Sequence, residues 1–333
     1  MLSCIPHSRF DPRVAKVAKV GIIGFGKMGK KHFDCYRKIK GINVIGAYDV
    51  DLKKIKDYGL RGFEDYKELI KQSDIVNICT PTDTHKLYII ESIMQGRAVF
   101  VEKPLCRTMD EADEIAKLIR KNKSKIMVGH IVRYFNQYIS IKNLIDQKSI
   151  GNPVVARATR SVRFKRGNSW FNSFDKSGGV ILDLMIHDID FLRWCFGDVK
   201  RVYAKSLNNA ETNLNMDYAL AILRFKNGVI AHLEASWSNP TGFRSYIEIC
   251  GNKGLLSYDS KTPSALTLEL DSGEVFKENL VDENANLLEI EDFINYVRFN
   301  SKPKVTFEDA YKSLEVALAV LESAQKGKVI WIK

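Results

Sequence analysis

From Lys19 to His130 short apolar runs alternate with amphipathic stretches, the pattern of a parallel sheet with helices between its strands. The runs are VGIIG (20–24), INVIGAY (42–48), IVNIC (75–79), AVFV (98–101) and IMVG (126–129). Thr108 and Glu111 stand at capping-box spacing, which predicts a helix from there to Lys121. Beyond Tyr138 the texture changes. One helix is expected over 139–147, then a Gly151-Asn152-Pro153 turn, then segments that alternate apolar and polar in twos. DYALAILRF and VIAHLEASW flank Lys226-Asn227-Gly228, and YIEIC and LLSYD flank residues 251–254; both pairs read as hairpins. Thr306 caps a last helix over 307–325 that stops at Gly327. The pattern is an α/β unit followed by an α+β unit with a mostly antiparallel sheet.

Gly24-Phe25-Gly26-Lys27-Met28-Gly29 follows the first run directly and opens a helix. The first glycine permits a tight turn, the second lets backbone approach a pyrophosphate, and the third lets helix pack closely on strand. Free N–H groups and the positive end of the helix dipole then face the phosphates. A glycine turn alone binds nothing, but the second run ends at Asp49, where a dinucleotide fold places an acid on the ribose hydroxyls. That carboxylate opposes the 2′-phosphate of NADP, so NAD is the expected cofactor. Lys53 and Lys54 soften the preference and keep NADP possible.

The 333 residues carry 51 Lys+Arg against 40 Asp+Glu, a formal charge of +11, with 45% hydrophobic and 27% charged residues. This is globular composition, and it excludes disordered and fibrous classes. The lysines are interspersed with acids, as over 51–57, so a solvated surface is expected and no nucleic-acid partner. No ten residues in a row are free of charged side chains, which argues against a membrane span. Arg9, Asp11, Arg13, Lys16 and Lys19 break up the first twenty residues, so 1–15 reads as a short extension rather than a secretory leader. Cys4, Cys35, Cys79, Cys106, Cys195 and Cys250 form no C-x-x-C pair; reduced thiols in the cytoplasm and no metal framework are expected. The domain reading is therefore 1–15 extension, 16–130 dinucleotide-binding and 131–333 substrate-binding and oligomerisation.

Two segments carry candidate chemistry. VFVEKPL (99–105) places Glu102, Lys103 and Pro104 at the C-terminal end of a strand, the edge where open α/β sheets bind ligands. Proline keeps Lys103 out of helix, extended or in a turn, with a cis bond one option. In Ser177-Gly178-Gly179 and the residues that follow, Asp183 and His187 are i, i+4; if the stretch is helical they share a face with Asp190 alongside. The plain alternative is a helix histidine satisfied by its own aspartate, with Lys103 a surface lysine. Arg157, Arg160, Arg163 and Arg166, followed by Trp170 and Phe171, suit a carboxylate, a phosphate or a sugar ring, or else form a solvent-facing strand. Arg163 and Trp170 are the substrate candidates of that stretch. His32 and His85 are expected near the nucleotide on helix starts, His232 in a strand, and His130 at the end of the strand before the domain crossover, lining the cleft; none is assigned catalysis.

The glycine turn, Cys79-Thr80-Pro81, Glu102-Lys103-Pro104 and the Gly-Gly…Asp-x-x-x-His run ending at His187 together resemble the Gfo/Idh/MocA oxidoreductase family, which includes inositol and sugar dehydrogenases. The likeness extends over nearly all of the chain after residue 15. It implies a Rossmann domain followed by an open sheet that commonly forms oligomer contacts. It implies that Lys103, Asp183 and His187 form the catalytic group and that Thr80, Pro81 and Glu102 help bind the cofactor. Asp190 matches a position that binds a substrate hydroxyl in inositol-type members. Ser177 and Met185 stand where relatives often have glycine, a departure that bears on the substrate more than on the reaction.

The function expected is an NAD(P)-dependent interconversion of a secondary hydroxyl and a ketone on a cyclic polyol, sugar or sugar nucleotide, as in myo-inositol 2-dehydrogenases or UDP-N-acetylglucosamine 3-dehydrogenases, by a homo-oligomer. His187 would take the hydroxyl proton, Asp183 would orient its imidazole, and Lys103 would hydrogen-bond the same oxygen. The alternative is a non-catalytic dinucleotide sensor on the same fold.

Overall fold

The computed structural model describes residues 17–163, 170–207, 217–262, 266–279 and 283–332. The first unit is built from β1 (Ala18–Ile23), α1 (Lys27–Tyr36), β2 (Ile42–Tyr48), α2 (Lys53–Lys56), α3 (Tyr66–Gln72), β3 (Ile75–Ile78), α4 (His85–Met94), β4 (Ala98–Glu102), α5 (Met109–Asn122) and β5 (Ile126–Gly129). Its strands are parallel in the order β2-β1-β3-β4-β5. The central strands are buried on both faces and read as continuous apolar runs, while β2, at the edge, is only partly buried. The order reverses between β1 and β3, and ligands of such sheets bind at that switch point, off the strand ends.

A crossover and α6 (Asn136–Asp146) lead into the second unit. It contains β6 (Pro153–Ser161), α7 (Phe174–Ser177), a π turn over Ile181–Met185, α8 (Ile186–Phe196), and β7 (Val199–Leu207) through β8 (Tyr218–Phe225), β9 (Ile230–Ser236), β10 (Arg244–Gly251), β11 (Gly254–Asp259), β12 (Leu266–Leu270) and β13 (Val275–Glu278). The chain closes with α9 (Ala285–Phe299), α10 (Phe307–Lys326) and β14 (Ile330–Trp331). The described strands form one open sheet in the order β13-β12-β11-β10-β6-β9-β8-β7-β14, antiparallel throughout except for β6 beside β9. Both expected hairpins are present as β8–β9 and β10–β11. The inner face is rich in buried alanine, including Ala156, Ala158, Ala219, Ala221 and Ala231, so the π turn and α10 lie close against it.

The capping boxes at Thr108–Glu111 and Thr306–Asp309 both form, each joining side chain and backbone reciprocally. Two expectations need correction. Helix α9, placed in the second unit by a boundary at residue 130, returns to the first: Ala285, Ile290, Phe293 and Ile294 share a core with Val20, Ile22 and Tyr36. The apolar stripe of α9 buries there because α1 leaves that face of the sheet partly uncovered. The stretch after Gly178-Gly179 is not a regular α-helix; both glycines have left-handed φ, +72° and +67°, and the π turn follows.

Candidate active site

The glycine turn has the stereochemistry its spacing demands. Gly24 has φ +87°, and a Cβ there would lie 2.6 Å from the Cys79 carbonyl oxygen. A Cβ on Gly29 would meet the Gly24 carbonyl oxygen at 2.1 Å, so only glycine lets α1 start this close to β1. At Gly26 an added Cβ meets nothing within 4 Å: its surroundings are open, as close backbone approach by a pyrophosphate requires.

Asp49 follows β2. Its Oδ2 accepts the Phe25 N–H at 2.7 Å, tying the acid to the glycine turn, while Oδ1 accepts the Asp51 N–H at 2.9 Å and lies 3.4 Å from Lys54 Nζ. Of the two lysines the sequence offered, Lys54 is the one at the acid. Gly24, Gly26, Lys27, Met28, Asp49 and Lys54 line one end of a cavity of about 620 Å³. Phe25 and Gly29 are not on that wall; Phe25 is fully buried, and its backbone N–H serves Asp49. The cavity size and the open glycine fit a dinucleotide site.

The same cavity continues past Cys79, Thr80, Pro81, Glu102 and Lys103 to Asp183 and His187. Two histidine contacts fix its floor. His85 sets Nδ1 2.9 Å from the Pro104 carbonyl oxygen and Nε2 3.0 Å from that of Thr80, pinning the loops after β3 and β4 to each other. The Lys103–Pro104 peptide is cis.

Lys103 reaches across to the second unit, where its ammonium donates to Asp183 Oδ1 at 3.0 Å and to the Asp183 backbone carbonyl. The other carboxylate oxygen accepts from Trp237 Nε1 at 3.2 Å. Sequence reasoning missed Trp237, whose position at the end of β9 carries no local motif. This geometry corrects the expected role of Asp183: its oxygens serve Lys103 and Trp237, not the imidazole. His187 Nδ1 is buried without a hydrogen-bond partner. Burial, then the positive charges of Lys103 and Arg160 and the nearby His130, push the His187 imidazole well below its ordinary range. It is neutral at pH 7, as a proton acceptor must be.

Trp170 and Phe171 stack at 4.0 Å between ring centroids and line the cavity. Ser177 anchors them: its hydroxyl is 3.1 Å from the Phe171 carbonyl oxygen and accepts the Gly179 N–H.

The remaining candidates are placed elsewhere. Asp190 is fully buried in a two-pronged pair with Arg133, both contacts at 2.8 Å, with Ser313 Oγ donating to it at 3.0 Å. It does not face the cavity, because the turn of α8 that directs His187 outward sends Asp190 towards the crossover. Arg163 gives its guanidinium to the Pro240 carbonyl. Arg160 is buried against Asp188, and Arg157 pairs with Glu248, so these arginines hold structure rather than line the cleft. Arg166 lies outside the described residues. His130 is 1% exposed, behind the cleft rather than on its wall, with neither ring nitrogen hydrogen-bonded.

Two family models match the chain: an oxidoreductase family with an NAD-binding Rossmann fold over residues 18–130, and the GFO/IDH/MocA C-terminal domain over 138–257. A scyllo-inositol 2-dehydrogenase (NAD(+)) of Bacillus subtilis is 28% identical, covering 93% of this chain and 94% of its own. A myo-inositol 2-dehydrogenase of Thermotoga maritima is 25% identical, over 94% and 98%. The crystal structure of myo-inositol 2-dehydrogenase from Lactobacillus plantarum superposes with a TM-score of 0.83 at 29% identity, covering 96% of this chain and all of that one. With both units matched and the glycine turn, the acid after β2 and the lysine after β4 gathered on one cavity, the chain belongs to the Gfo/Idh/MocA oxidoreductase family and is an NAD-binding oxidoreductase.

Proposed function

We propose that the protein interconverts a secondary hydroxyl and a ketone on a cyclic polyol or sugar, with inositols the first candidates, and that Lys103, Asp183 and His187 perform the proton chemistry. The observation that carries this reading is that all three residues line the cavity that begins at the glycine turn and Asp49. The stacked Trp170 and Phe171 offer an apolar platform to the C–H face of a ring. Pairing of Arg157, Arg160 and Arg163 within the protein removes the grounds those residues gave for an acidic substrate or a sugar nucleotide. The names of the relatives point to inositols as well.

The backbone around Gly24 and Gly26 and the side chain of Asp49 would hold the dinucleotide, with Thr80, Pro81 and Glu102 towards its nicotinamide end. Bound NAD supplies the hydride acceptor. His187, kept neutral by its surroundings, takes the hydroxyl proton during oxidation and returns it during reduction. The Lys103 ammonium, held in place by Asp183, donates to the same oxygen and favours developing alkoxide charge. Asp183 balances the lysine charge and, through Trp237, fixes its own rotamer.

Supplying inositols, hexoses, uronates and UDP-sugars with NAD and following NADH absorbance tests the reading. Turnover confined to neutral rings supports it, and turnover confined to charged sugars refutes it. The outer face of the open sheet carries half-exposed Tyr203, Ile222 and Ile230, which suits a second copy of the chain, and light scattering of the purified protein would count the copies. No described helix is long and apolar enough to cross a membrane, and a cytoplasmic location is proposed from the free thiols at Cys35, Cys79, Cys106, Cys195 and Cys250.

A further inference from the structure

One buried titratable group stands against the cofactor cavity and has no part in the proton chemistry. His32, on α1, is 0% exposed. Its Nδ1 lies 3.1 Å from Asn77 Oδ1 and 3.3 Å from Cys79 Sγ, and its Nε2 lies 3.1 Å from Glu102 Oε1. The Glu102 contact is a close ion pair set off the N–H axis rather than an aligned hydrogen bond. The amide of Asn77 is itself oriented, because Tyr36 Oη donates to its oxygen and its Nδ2 donates to Cys79. Nδ1 therefore has acceptors and Nε2 faces a carboxylate at ion-pair distance, an arrangement that favours the protonated ring.

Electrostatics agree with the geometry. Burial opposes the charge on His32, but Cys79 and Glu102 outweigh it and hold the imidazole well above its ordinary range. Burial likewise opposes ionisation of Glu102, and His32 outweighs it, with help from Lys103 and His85. A further acid, Glu289 on α9, is 1% exposed; burial and then Glu102 push its carboxyl well up. Each partner thus favours the charged form of the other, with Cys35, Tyr36, Asn77, Cys79, His85, Lys103 and Glu289 around the pair. Glu102 keeps its edge in the cavity, with a 14% exposed side chain, while His32 has none.

We propose that His32 is a positioning residue for the nicotinamide end of the cofactor: it holds Glu102 as a charge-balanced carboxylate on the cleft wall and thereby sets how the site weighs oxidised against reduced cofactor. The proposal rests on the reading of Glu102 as a cofactor contact. The oxidised nicotinamide ring is cationic and the reduced ring neutral, so a carboxylate stripped of its counter-charge attracts the first and is indifferent to the second.

Dissociation constants for NAD+ and NADH, measured separately by calorimetry on wild type, His32→Gln, Glu102→Gln and the double variant, test it without turnover. His32→Gln is expected to shift the ratio of the two constants about tenfold towards NAD+, the size of one unbalanced charge in a half-buried site. Glu102→Gln is expected to shift it towards NADH, and in that background His32→Gln has a smaller effect than in wild type. Equal weakening of both forms by His32→Gln overturns the proposal, as does a shift of undiminished size in the Glu102→Gln background. If Glu102→Gln changes neither constant, Glu102 does not contact the cofactor, and that reading falls first and takes the proposal with it. If His32→Gln does not fold, wild type serves in its place. Its ratio must move towards NAD+ as pH rises through the His32 titration and move less over the same range in Glu102→Gln; a flat wild-type ratio overturns the proposal.

Discussion

The Lys103 ammonium and the Asp183 carboxylate are 80 residues apart in sequence and 3.0 Å apart in space, one from each unit of the chain. Each is about one-seventh exposed, so the pair is shielded but open to the cavity. Lys103→Met removes the donor to the reacting oxygen and leaves Asp183 to repel alkoxide. A fall in kcat of about 10²–10³ is expected, with the dissociation constant for NAD within a fewfold of wild type. Stopped-flow hydride transfer and a separate cofactor titration measure the two effects.

Trp237→Phe deletes one hydrogen bond to Asp183 and keeps most of the packing. Loss of that donor frees the carboxylate to rotate away from Lys103. The expected result is a drop in kcat of about tenfold, in keeping with roughly 1.5 kcal/mol for a hydrogen bond to a charged group, and little change in KM.

His187 is held below the ordinary histidine range by burial first and then by Lys103, Arg160 and His130. It must be unprotonated to accept the hydroxyl proton, so oxidation is lost only as pH falls through this depressed value. The acid limb of kcat/KM should therefore lie below pH 6.5, the ordinary histidine value. His187→Asn should lower the rate by about 10²–10⁴ and abolish that limb. A limb at or above 6.5 in wild type would contradict the electrostatic assignment.

The glycine turn separates binding from folding. Gly26→Ala places a methyl in open space, so the melting temperature should hold while the dissociation constant for NAD rises. Gly29→Ala drives a Cβ to 2.1 Å from backbone and should destabilise the protein with or without cofactor. Thermal melts with and without NAD distinguish the two.

Asp190→Ala leaves the buried guanidinium of Arg133 with only the partly exposed Asp309, 3.3 Å away, as counter-charge, at a cost of about 3 kcal/mol. The melting temperature should fall sharply, while Arg163→Ala should leave KM for every substrate unchanged because that side chain serves Pro240. A selective rise in KM for acidic substrates in Arg163→Ala would reinstate the substrate role the sequence suggested.

The strands over 42–48 and 126–129 were legible to the residue; the second is buried throughout, as a continuous apolar run requires. Gly24 and Gly29 were equally legible, since each meets a local steric demand that no other residue satisfies, and Gly26 by its place between them. The hairpin turn at Asn227-Gly228 belongs to the same class. The return of α9 onto the first sheet was not legible: its stripe of apolar residues says that it buries a face, not which neighbour it meets. Asp183, Asp188 and Asp190 differ by a few positions on one segment, yet they pair with Lys103, Arg160 and Arg133 in turn.

The sequence by itself determined the backbone demands and the presence of the reactive groups: the glycine turn, the acid after β2, and an ammonium, an imidazole and several carboxylates at sheet and helix ends. Tertiary structure alone decided which carboxylate faces which cation, that Asp183 serves Lys103 and not His187, and that His32 lies against Glu102. The physical reason is range. Sterics and hydrogen-bond periodicity act between neighbours along the chain, whereas burial and ion pairing depend on what folding brings to within a few ångströms from distant parts of it.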